Sequence, residues 1–371
     1  MPQNRTSRSA IAGAVALVAA LGGFALAPNS SRHLVHAQAE PMIQTEPASP
    51  TQPPGFSPST IQASYGLSGS SYAGAGQTIA IVDAFDNPNV AYDLTMFDAY
   101  WGLSVCGSAC FTKVDQNGGT NFPPQAPLNW SFEIAMDVEW AHALAPAAHI
   151  LLVEAADSSL PSLLAAERYA GAHAGYVSNS WGYPEFSGEV ADNAAFADTG
   201  VSYFASVEDS PGQTQYPATS PNVVAVGGNQ LTSSGTIPWT SGGGGCSSYE
   251  QAFPGEASVA SKAGCSGNQS TPEVSADAVG IPVFDAASGW WSTGGTSFAT
   301  VLWAAAAADS GRLVTNEAIS SGSIPLHPVI GGTLLQTGFG DLGTIPPTAG
   351  EFVNMVYAEV AAVSPGIEST M

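Results

Sequence analysis

Two carboxylates four positions apart, Glu133 and Asp137, lie in an otherwise apolar stretch, residues 130–146. On a helix this spacing puts both side chains on one face, one turn apart and close enough to share a hydrogen bond. Two carboxyl groups crowded together in an apolar setting do not both ionise readily, so one keeps its proton to a higher pH and the pair can serve in general acid and base catalysis. The spacing alone favours a solvated helix face, the usual state of Glu and Asp.

A serine with the setting of a nucleophile occurs later, within residues 292–308, where a glycine turn runs into an Ala-rich helix. Ser297 stands at the start of that helix, beside free backbone N–H groups and the positive end of the helix dipole, where a developing oxyanion is stabilised. A helix N-cap formed by Thr296 or Ser297 explains the same residues equally well. Asp83 follows a buried strand, at the end where α/β folds place their chemistry, and otherwise reads as a helix cap.

The elements that must position these residues alternate along the chain. Strands are predicted at residues 78–82, 149–153, 176–179, 201–206 and 222–226, and helices at residues 90–100, 130–146, 160–174 and 190–197. Asn129 or Ser131 is expected to cap the helix that carries Glu133, and Pro146 to end it. Short apolar strands alternating with helices predict an α/β fold with a doubly wound, mostly parallel sheet flanked by helices.

The composition indicates a folded, acidic protein. The 371 residues are 44% hydrophobic and 10% charged, which suffices for a large core and excludes a disordered chain. The formal net charge is −23, which disfavours strong binding to nucleic acid and makes anionic membranes repel the chain. A chain this acidic repels itself at neutral pH, and protonation of its carboxylates relieves the repulsion, so an acidic working environment suits it.

The N-terminal 39 residues are typical of a secretory signal. Arg5 and Arg8 precede an apolar run at residues 11–27, and small residues suitable for cleavage follow near Ala37 or Ala39. The run is marginal in length for a membrane span and no second one follows, so we expect export, with an uncleaved signal anchor as the alternative.

The next segment, residues 40–60, is rich in Pro, Ser and Gln without periodicity and is interpreted as a linker. The folded body is expected to begin near Ile61 and to run to residue 371.

Four cysteines fit an oxidising compartment. The local pairings are Cys106 with Cys110 and Cys246 with Cys265, one of three possible connectivities. A C-x-x-x-C metal site is the competing interpretation of the first pair, and it is the poorer one because no histidine stands near it in the sequence. Phosphate-binding glycine loops and the H-E-x-x-H zinc motif are absent from the sequence.

Taken together, these features resemble the sedolisin (serine-carboxyl, S53) peptidases, which have a subtilisin-like fold. The resemblance rests on seven segments that occur in the family's order: residues 79–83, 133–143, 178–182, 205–210, 224–228, 272–278 and 294–297. One such segment is weak evidence, whereas seven in order are strong. The resemblance covers most of residues 61–310, and the chain is similar to the bacterial branch that lacks a large propeptide.

The resemblance implies a role for each of four residues. Ser297 matches the nucleophile, Glu133 its general base, Asp137 the carboxylate that orients Glu133, and Asp209 the residue of the oxyanion hole. The chemistry agrees, because a glutamate base must be deprotonated to accept the serine proton, whereas an aspartic acid donates a hydrogen bond to an oxyanion only when it is protonated. Asp83 and Trp181 match positions that extend the hydrogen-bond chain behind the acids in some members of the family.

The chain departs from the family at several positions. Glu208 stands where the family usually has a glycine before the oxyanion aspartate, and Val301 stands where it usually has a proline. After about residue 311 the sequence diverges. The family's calcium site is an Asp- and Gly-rich loop in this region, but residues 338–343 contain Asp341 without that pattern, so no metal site is predicted and the chemistry needs no cofactor.

Two other functions are weighed against a serine-carboxyl peptidase. One is a Ser-His-Asp hydrolase that uses Asp83, His142 and Ser297, although His142 stands nine residues after Glu133, on a different side of that helix, and reads as packing. The other is a secreted scaffold or binding protein that kept the fold without turnover. We expect a secreted, monomeric endopeptidase that acts on protein or peptide substrates, forms an acyl-enzyme and works at acidic pH.

Overall fold

The computed structural model describes residues 38–41, 44–47, 53 and 55–345. Residues 1–37 of the predicted signal therefore lie outside the described residues. The strands are β1 (Glu40–Pro41), β2 (Gln44–Pro47), β3 (Thr78–Ala84), β4 (Phe111–Asp115), β5 (His149–Ala155), β6 (Tyr176–Asn179), β7 (Trp181–Pro184), β8 (Ser202–Ser206), β9 (Gln215–Tyr216), β10 (Val224–Thr232), β11 (Gly235–Pro238), β12 (Gly245–Gln251), β13 (Asn268–Thr271), β14 (Val274–Asp277), β15 (Val279–Asp285), β16 (Gly289–Gly294), β17 (Leu326–His327) and β18 (Asp341–Leu342). The helices are α1 (Pro58–Tyr65), α2 (Val90–Trp101), α3 (Leu128–Leu144), α4 (Leu160–His173), α5 (Ala257–Ala263), α6 (Thr296–Ser310), α7 (Asn316–Ser320) and α8 (Leu334–Thr337), with a 3₁₀ helix at Glu189–Phe196.

A ten-stranded sheet forms the centre of the molecule. Its order is β17-β18-β14-β10-β8-β6-β3-β5-β4, with β11 paired to β10, and all contacts from β18 to β4 are parallel. The sheet grows in both directions from β3, since β4 and β5 lie on one side of it and β6, β8, β10 and β14 on the other. The mostly parallel, doubly wound sheet predicted from the sequence is therefore present. Such sheets bind ligands where the strand order reverses, at the carboxyl ends of the strands.

Two helices that pack against the sheet are buried on every side. Every residue of α6 is buried, and so is every residue of α3 from Phe132 to Leu144. A helix that is apolar all round belongs inside a core, and α3 and α6 pack against each other and against β3. Among the described residues, no helix is long and apolar enough to cross a membrane.

Several boundaries differ from those predicted. Helix α3 begins at Leu128, with Pro127 before it and no side-chain cap, so neither Asn129 nor Ser131 caps it; the Ser131 hydroxyl donates instead to Asp285, at 3.4 Å. The helix predicted at residues 190–197 is a 3₁₀ helix, a form that is common in short runs.

The expected glycine turn before Ser297 is the end of strand β16. A Cβ atom on Gly294 would lie 2.8 Å from the backbone oxygen of Ala278, so glycine is required there for close strand pairing.

The interpretation of residues 40–60 as a linker also needs correction. Strand β1 pairs antiparallel with β7, strand β2 pairs antiparallel with β16, and α1 begins at Pro58. Strands of two and four residues carry no periodic signal, and proline is tolerated on edge strands. The divergent region after residue 311 contributes β18, which extends the central sheet beside β14.

Candidate active site

Three carboxylates meet at the carboxyl end of β3. Glu133 and Asp137 lie on α3 and Asp83 on β3, and each has 0% of its surface exposed. The alternative of a solvated helix face is therefore wrong. None of the six carboxyl oxygens makes a hydrogen bond of standard geometry to a described residue.

Burial is the main reason why these acids hold their protons. It raises the pKa of Glu133 well above the ordinary value, and the neighbouring charges of Asp137 and then Asp83 raise it further. Burial also raises the pKa values of Asp137 and Asp83, the latter with a further contribution from Asp137. Because the three carboxyls are coupled, they release their protons one at a time, each less readily than an isolated acid.

Ser297 lies beside this cluster, in the first turn of α6, and is fully buried. Its hydroxyl interacts with the Glu133 carboxyl, and this interaction offsets part of the rise in the pKa of Glu133. The contact falls outside standard hydrogen-bond geometry, but it is close enough to favour the ionised form of Glu133. A serine hydroxyl next to an ionised carboxylate is the arrangement that proton abstraction requires.

Asp209 reaches the same helix start from the other side. Its Oδ1 accepts hydrogen bonds from the backbone N–H of Thr296, at 2.9 Å, and from the Thr296 hydroxyl, at 3.0 Å. Burial raises the pKa of Asp209 to about 7, although both bonds from Thr296 lower it, and the Glu208 charge adds a smaller upward contribution. Asp209 is thus a protonated acid below about pH 7, next to the residue that precedes Ser297.

Sequence reasoning did not single out Thr296 as a partner of Asp209, nor Ser180 as a partner of Asp137. An interaction with the Ser180 side chain, outside standard hydrogen-bond geometry, lowers the pKa of Asp137. Ser180 stands directly after β6, so the rule that chemistry collects at the carboxyl ends of parallel strands is the signal that could have found it.

The two residues predicted to stand behind the acids have different surroundings. Asp83 lies within electrostatic reach of Asp137 and Glu133. The indole N–H of Trp181 donates to Asn179, at 3.0 Å, and the structure shows no bond from it to the acids.

His142 is too occupied elsewhere to act as the base for Ser297. Its Nε2 lies 2.9 Å from the Ser104 carbonyl oxygen and 3.5 Å from the Asp98 carboxylate, and its Nδ1 lies 3.5 Å from the Cys110 sulfur. The described contacts thus give the Ser-His-Asp alternative no support.

A histidine does lie beside the first cysteine pair, although the sequence places it 32 residues away. The ligand atoms of Cys106, Cys110 and His142 are within 4.8 Å of one another. The structure joins Cys106 to Cys110 and Cys246 to Cys265 as disulfides, the two local pairings, so the sulfurs of the first pair are not available as thiolates.

Asp341 does not have the surroundings of a calcium ligand. It is buried in β18, its Oδ1 accepts the N–H of Leu342 at 2.9 Å, and side-chain hydrogen bonds from Thr236 and Asn229 lower its pKa. Calcium takes six to eight oxygen ligands, whereas no group of three or more Asp, Glu, His or Cys ligands in the described residues includes Asp341. Asp341 is therefore not part of such a side-chain cluster in the described residues, and the absence of a metal site stays a prediction.

The chain is similar to kumamolisin over part of its sequence and to a sedolisin in its fold. No family model matches the chain. Kumamolisin from Bacillus sp. (strain MN-32) is 33% identical over 181 residues, which cover 43% of this chain and 32% of kumamolisin, so the match spans about a third of that relative's length.

The comparison of structures covers more of the chain. Pseudomonas sedolisin, a serine-carboxyl proteinase solved in complex with two molecules of pseudo-iodotyrostatin, matches with a TM-score of 0.65 at 23% identity, over 83% of this chain and 99% of that one. These findings confirm the resemblance and the subtilisin-like fold predicted from the sequence.

Proposed function

We propose that this chain is a secreted serine-carboxyl peptidase of the sedolisin type that cleaves peptide bonds at acidic pH. The observation that carries the proposal is the meeting of Ser297, Glu133 and Asp209 at the start of one buried helix, α6. A nucleophile, a carboxylate base and a protonated acid are the three groups that acyl transfer needs in the absence of histidine. No cofactor takes part.

In the first step Ser297 Oγ attacks the scissile carbonyl carbon and Glu133 accepts the hydroxyl proton. The interaction with the Ser297 hydroxyl favours the ionised form of Glu133, the form that can accept this proton. Glu133 then gives the proton to the leaving amine, and an ester between Ser297 and the acyl part of the substrate remains. Water hydrolyses this ester with Glu133 again as the base, and the serine is regenerated.

Asp209 is assigned to the oxyanion. Below about pH 7 its carboxyl carries a proton that can be donated to the oxygen of the tetrahedral intermediate. Above that pH the group becomes an anion and repels the oxyanion. Activity is therefore expected to fall as the pH rises through about 7.

The substrates are proteins or peptides, and we assign no nucleic-acid partner and no stable membrane association. The predicted signal at residues 1–39 and the two disulfides favour secretion, and the enzyme is expected to be a monomer. A scaffold without turnover is the competing function, but it gives no reason for Ser297, Glu133, Asp137 and Asp209 to be retained together.

The test is the pH dependence of kcat/KM on an unfolded peptide substrate, measured for the secreted enzyme and two variants. Ser297→Ala should abolish hydrolysis without changing the melting temperature. Asp209→Asn keeps a hydrogen-bond donor at every pH, so its residual activity should lack the decline near pH 7, whereas removing a donor altogether costs about 10²- to 10³-fold in kcat.

Two outcomes would contradict the proposal. Activity that rises through neutral pH would indicate a histidine base. The absence of hydrolysis at any pH in the folded wild-type enzyme would indicate a scaffold.

A further inference from the structure

His142 is a buried side chain that the proposed chemistry does not use. It lies on α3, nine residues after Glu133, and only 1% of its surface is exposed. Its Nε2 lies 2.9 Å from the Ser104 carbonyl oxygen and 3.5 Å from the Asp98 carboxylate. Its other nitrogen, Nδ1, lies 3.5 Å from the Cys110 sulfur. The ring thus presents one nitrogen to oxygen acceptors and the other to the first cysteine pair.

The oxygen acceptors decide which nitrogen of the ring carries the proton. A carbonyl oxygen can only accept, so Nε2 donates to Ser104, and Nδ1 of the neutral ring keeps its lone pair. Histidines that bind metals have this arrangement, with one nitrogen on the ion and the other N–H on a carbonyl or carboxylate. Asp98 also accepts the backbone N–H of Cys106, at 3.3 Å, so the same buried carboxylate lies against both the histidine and the cysteine loop.

The spacing of the three side chains suits a zinc ion. The ligand atoms of Cys106, Cys110 and His142 lie within 4.8 Å of one another. Zinc binds sulfur at about 2.3 Å and imidazole nitrogen at about 2.0–2.1 Å, so a tetrahedral ion holds the two atoms about 3.5 Å apart. The sulfur of Cys110 and Nδ1 of His142 already have this separation. Both cysteines are partly exposed, so an ion and a reductant can reach them.

We propose that Cys106, Cys110 and His142 form a zinc site that exists when the disulfide is reduced and is lost when it is oxidised. Two thiolates and an imidazole are ligands that zinc prefers, and water takes the fourth position. In the oxidised form, which the structure shows, the two sulfurs are bonded to each other and cannot bind an ion as thiolates. A metal site, the poorer interpretation of this pair for the oxidised chain, thus applies to the reduced one.

The switch between the two forms is a thiol–disulfide exchange with a dithiol reductant. One thiolate of the reductant attacks a cysteine sulfur, which forms a mixed disulfide and releases the other cysteine as a thiolate. The second thiol of the reductant attacks the mixed disulfide and releases the second cysteine, and the reductant leaves as a cyclic disulfide. Two electrons have then passed to the cysteines, and zinc displaces the protons of their thiols.

The ion would connect parts of the chain that the disulfide does not. The disulfide closes a loop with a sequence separation of 4, between α2 and β4. Zinc would join this loop to α3, the helix that carries Glu133 and Asp137. Zinc should therefore raise the melting temperature of the reduced chain and leave that of the oxidised chain unchanged.

The test uses cobalt(II), a substitute for zinc whose absorption spectrum reports its ligands. All proteins are full-length and carry Ser297→Ala, so that the result is independent of hydrolysis. They are reduced with dithiothreitol, freed of it by gel filtration under argon and titrated at neutral pH, where the ligands lose their protons to the ion. The reduced protein should show thiolate-to-cobalt charge transfer and the visible bands of tetrahedral cobalt, saturating at one ion per chain. The oxidised protein should show neither.

Two variants identify the ligands. The double change Cys106→Ser with Cys110→Ser keeps Cys246 and Cys265, so it reports any signal from the second pair, and it should lack the charge-transfer band. His142→Gln keeps an N–H that can donate to the Ser104 carbonyl but has no imidazole. It should bind cobalt at least about tenfold more weakly, since even the partners of metal ligands contribute about 10- to 100-fold in affinity.

The absence of a charge-transfer band from the folded, reduced protein would overturn the site, and so would a reduced protein that stays unfolded with zinc present. A band that persists in the double serine variant would assign the metal to the second cysteine pair instead. Equal affinity of a folded His142→Gln variant would remove the histidine from the site. If that variant does not fold, X-ray absorption of the zinc-loaded, reduced protein decides: two sulfurs and one imidazole support the site, and a spectrum without imidazole overturns it.

Discussion

Glu208 holds a backbone conformation that disfavours side chains. Its φ is 130°, in the left-handed region that favours glycine, and its carbonyl accepts the N–H of Gly243 at 2.7 Å. Glu208 is the residue at which the chain departs from the family's usual glycine. A non-glycine residue with such a φ costs about 1–3 kcal/mol and persists where the surroundings hold it in place. Here the strain lies one residue before Asp209, whose carboxyl must reach Thr296.

Glu208→Gly should therefore raise the free energy of unfolding by about 1 kcal/mol, once the greater freedom of glycine in the unfolded chain is subtracted. Urea denaturation measures this change. Glu208→Ala is the matched control, because it also loses the carboxylate and its hydrogen bond to Gln215 but keeps the Cβ atom and the strain. A glycine variant no more stable than the alanine variant would show that φ at this position stores no energy.

The residue types of the site could be predicted, but their state could not. The four-residue spacing of Glu133 and Asp137 predicts that they share a helix face, and the glycine-to-helix junction places Ser297. Neither pattern tells whether that face meets solvent or core, which decides the pKa values. The contact between Asp209 and Thr296 joins residues 87 positions apart, and no local pattern encodes it.

At the scale of elements, the site depends on how α3 is held against α6. Trp140 of α3 packs its ring 4.9 Å from that of Phe298, the residue after Ser297, in a T-shaped contact. Its indole N–H donates to the Pro282 carbonyl at 2.9 Å. This ring therefore sets the spacing between the helix of the base and the helix of the nucleophile.

Trp140→Phe should lower the free energy of unfolding by about 1–3 kcal/mol, because it leaves the buried Pro282 carbonyl without its donor. It should also lower kcat by about tenfold or more, since small misplacements of catalytic groups are costly. Trp303→Phe is the control: Trp303 is equally buried on α6 and donates to the Ser275 carbonyl at 2.9 Å, but it packs near Phe204 of β8. Equal losses of kcat per folded molecule in both variants would refute the role of Trp140.

Elements were predictable where the chain is strongly apolar and periodic. Strands β3, β5 and β6 and helices α2 and α4 fall within two residues of the predicted bounds, because burial in a parallel sheet demands short apolar runs. Strands β1 and β2 were missed because their pairing is supplied by β7 and β16, which lie more than a hundred residues away in the sequence. Composition alone makes such a segment look like a linker.

The whole molecule holds an unusual number of buried acids whose pKa values are raised, chiefly by burial. The pKa is raised to about 6 for Asp341, about 7 for Asp93 and Asp209, and about 8 for Asp277. In the unfolded chain an aspartate has a pKa near 3.9. Between about pH 4 and these higher values the folded protein keeps protons that the unfolded chain has lost, so the free energy of unfolding falls as the pH rises.

The free energy of unfolding should therefore be greatest near pH 4–5 and decrease toward neutrality. Each such group lowers it by about 1.4 kcal/mol per pH unit until the pH passes the pKa of that group in the folded protein. Asp115 acts in the opposite direction, because three backbone N–H bonds lower its pKa, and its contribution is lost only in stronger acid. Melting temperatures from pH 4 to pH 8 measure the trend, and Asp277→Asn should reduce its slope by one group's share.

Repeating the series at about 0.5 M salt separates buried protons from repulsion among surface acids, because salt screens only the latter. A melting temperature that rises from pH 4 to pH 7 would mean that these carboxyls are ionised in the folded protein, and the proton held by Asp209 would then have to be abandoned as well.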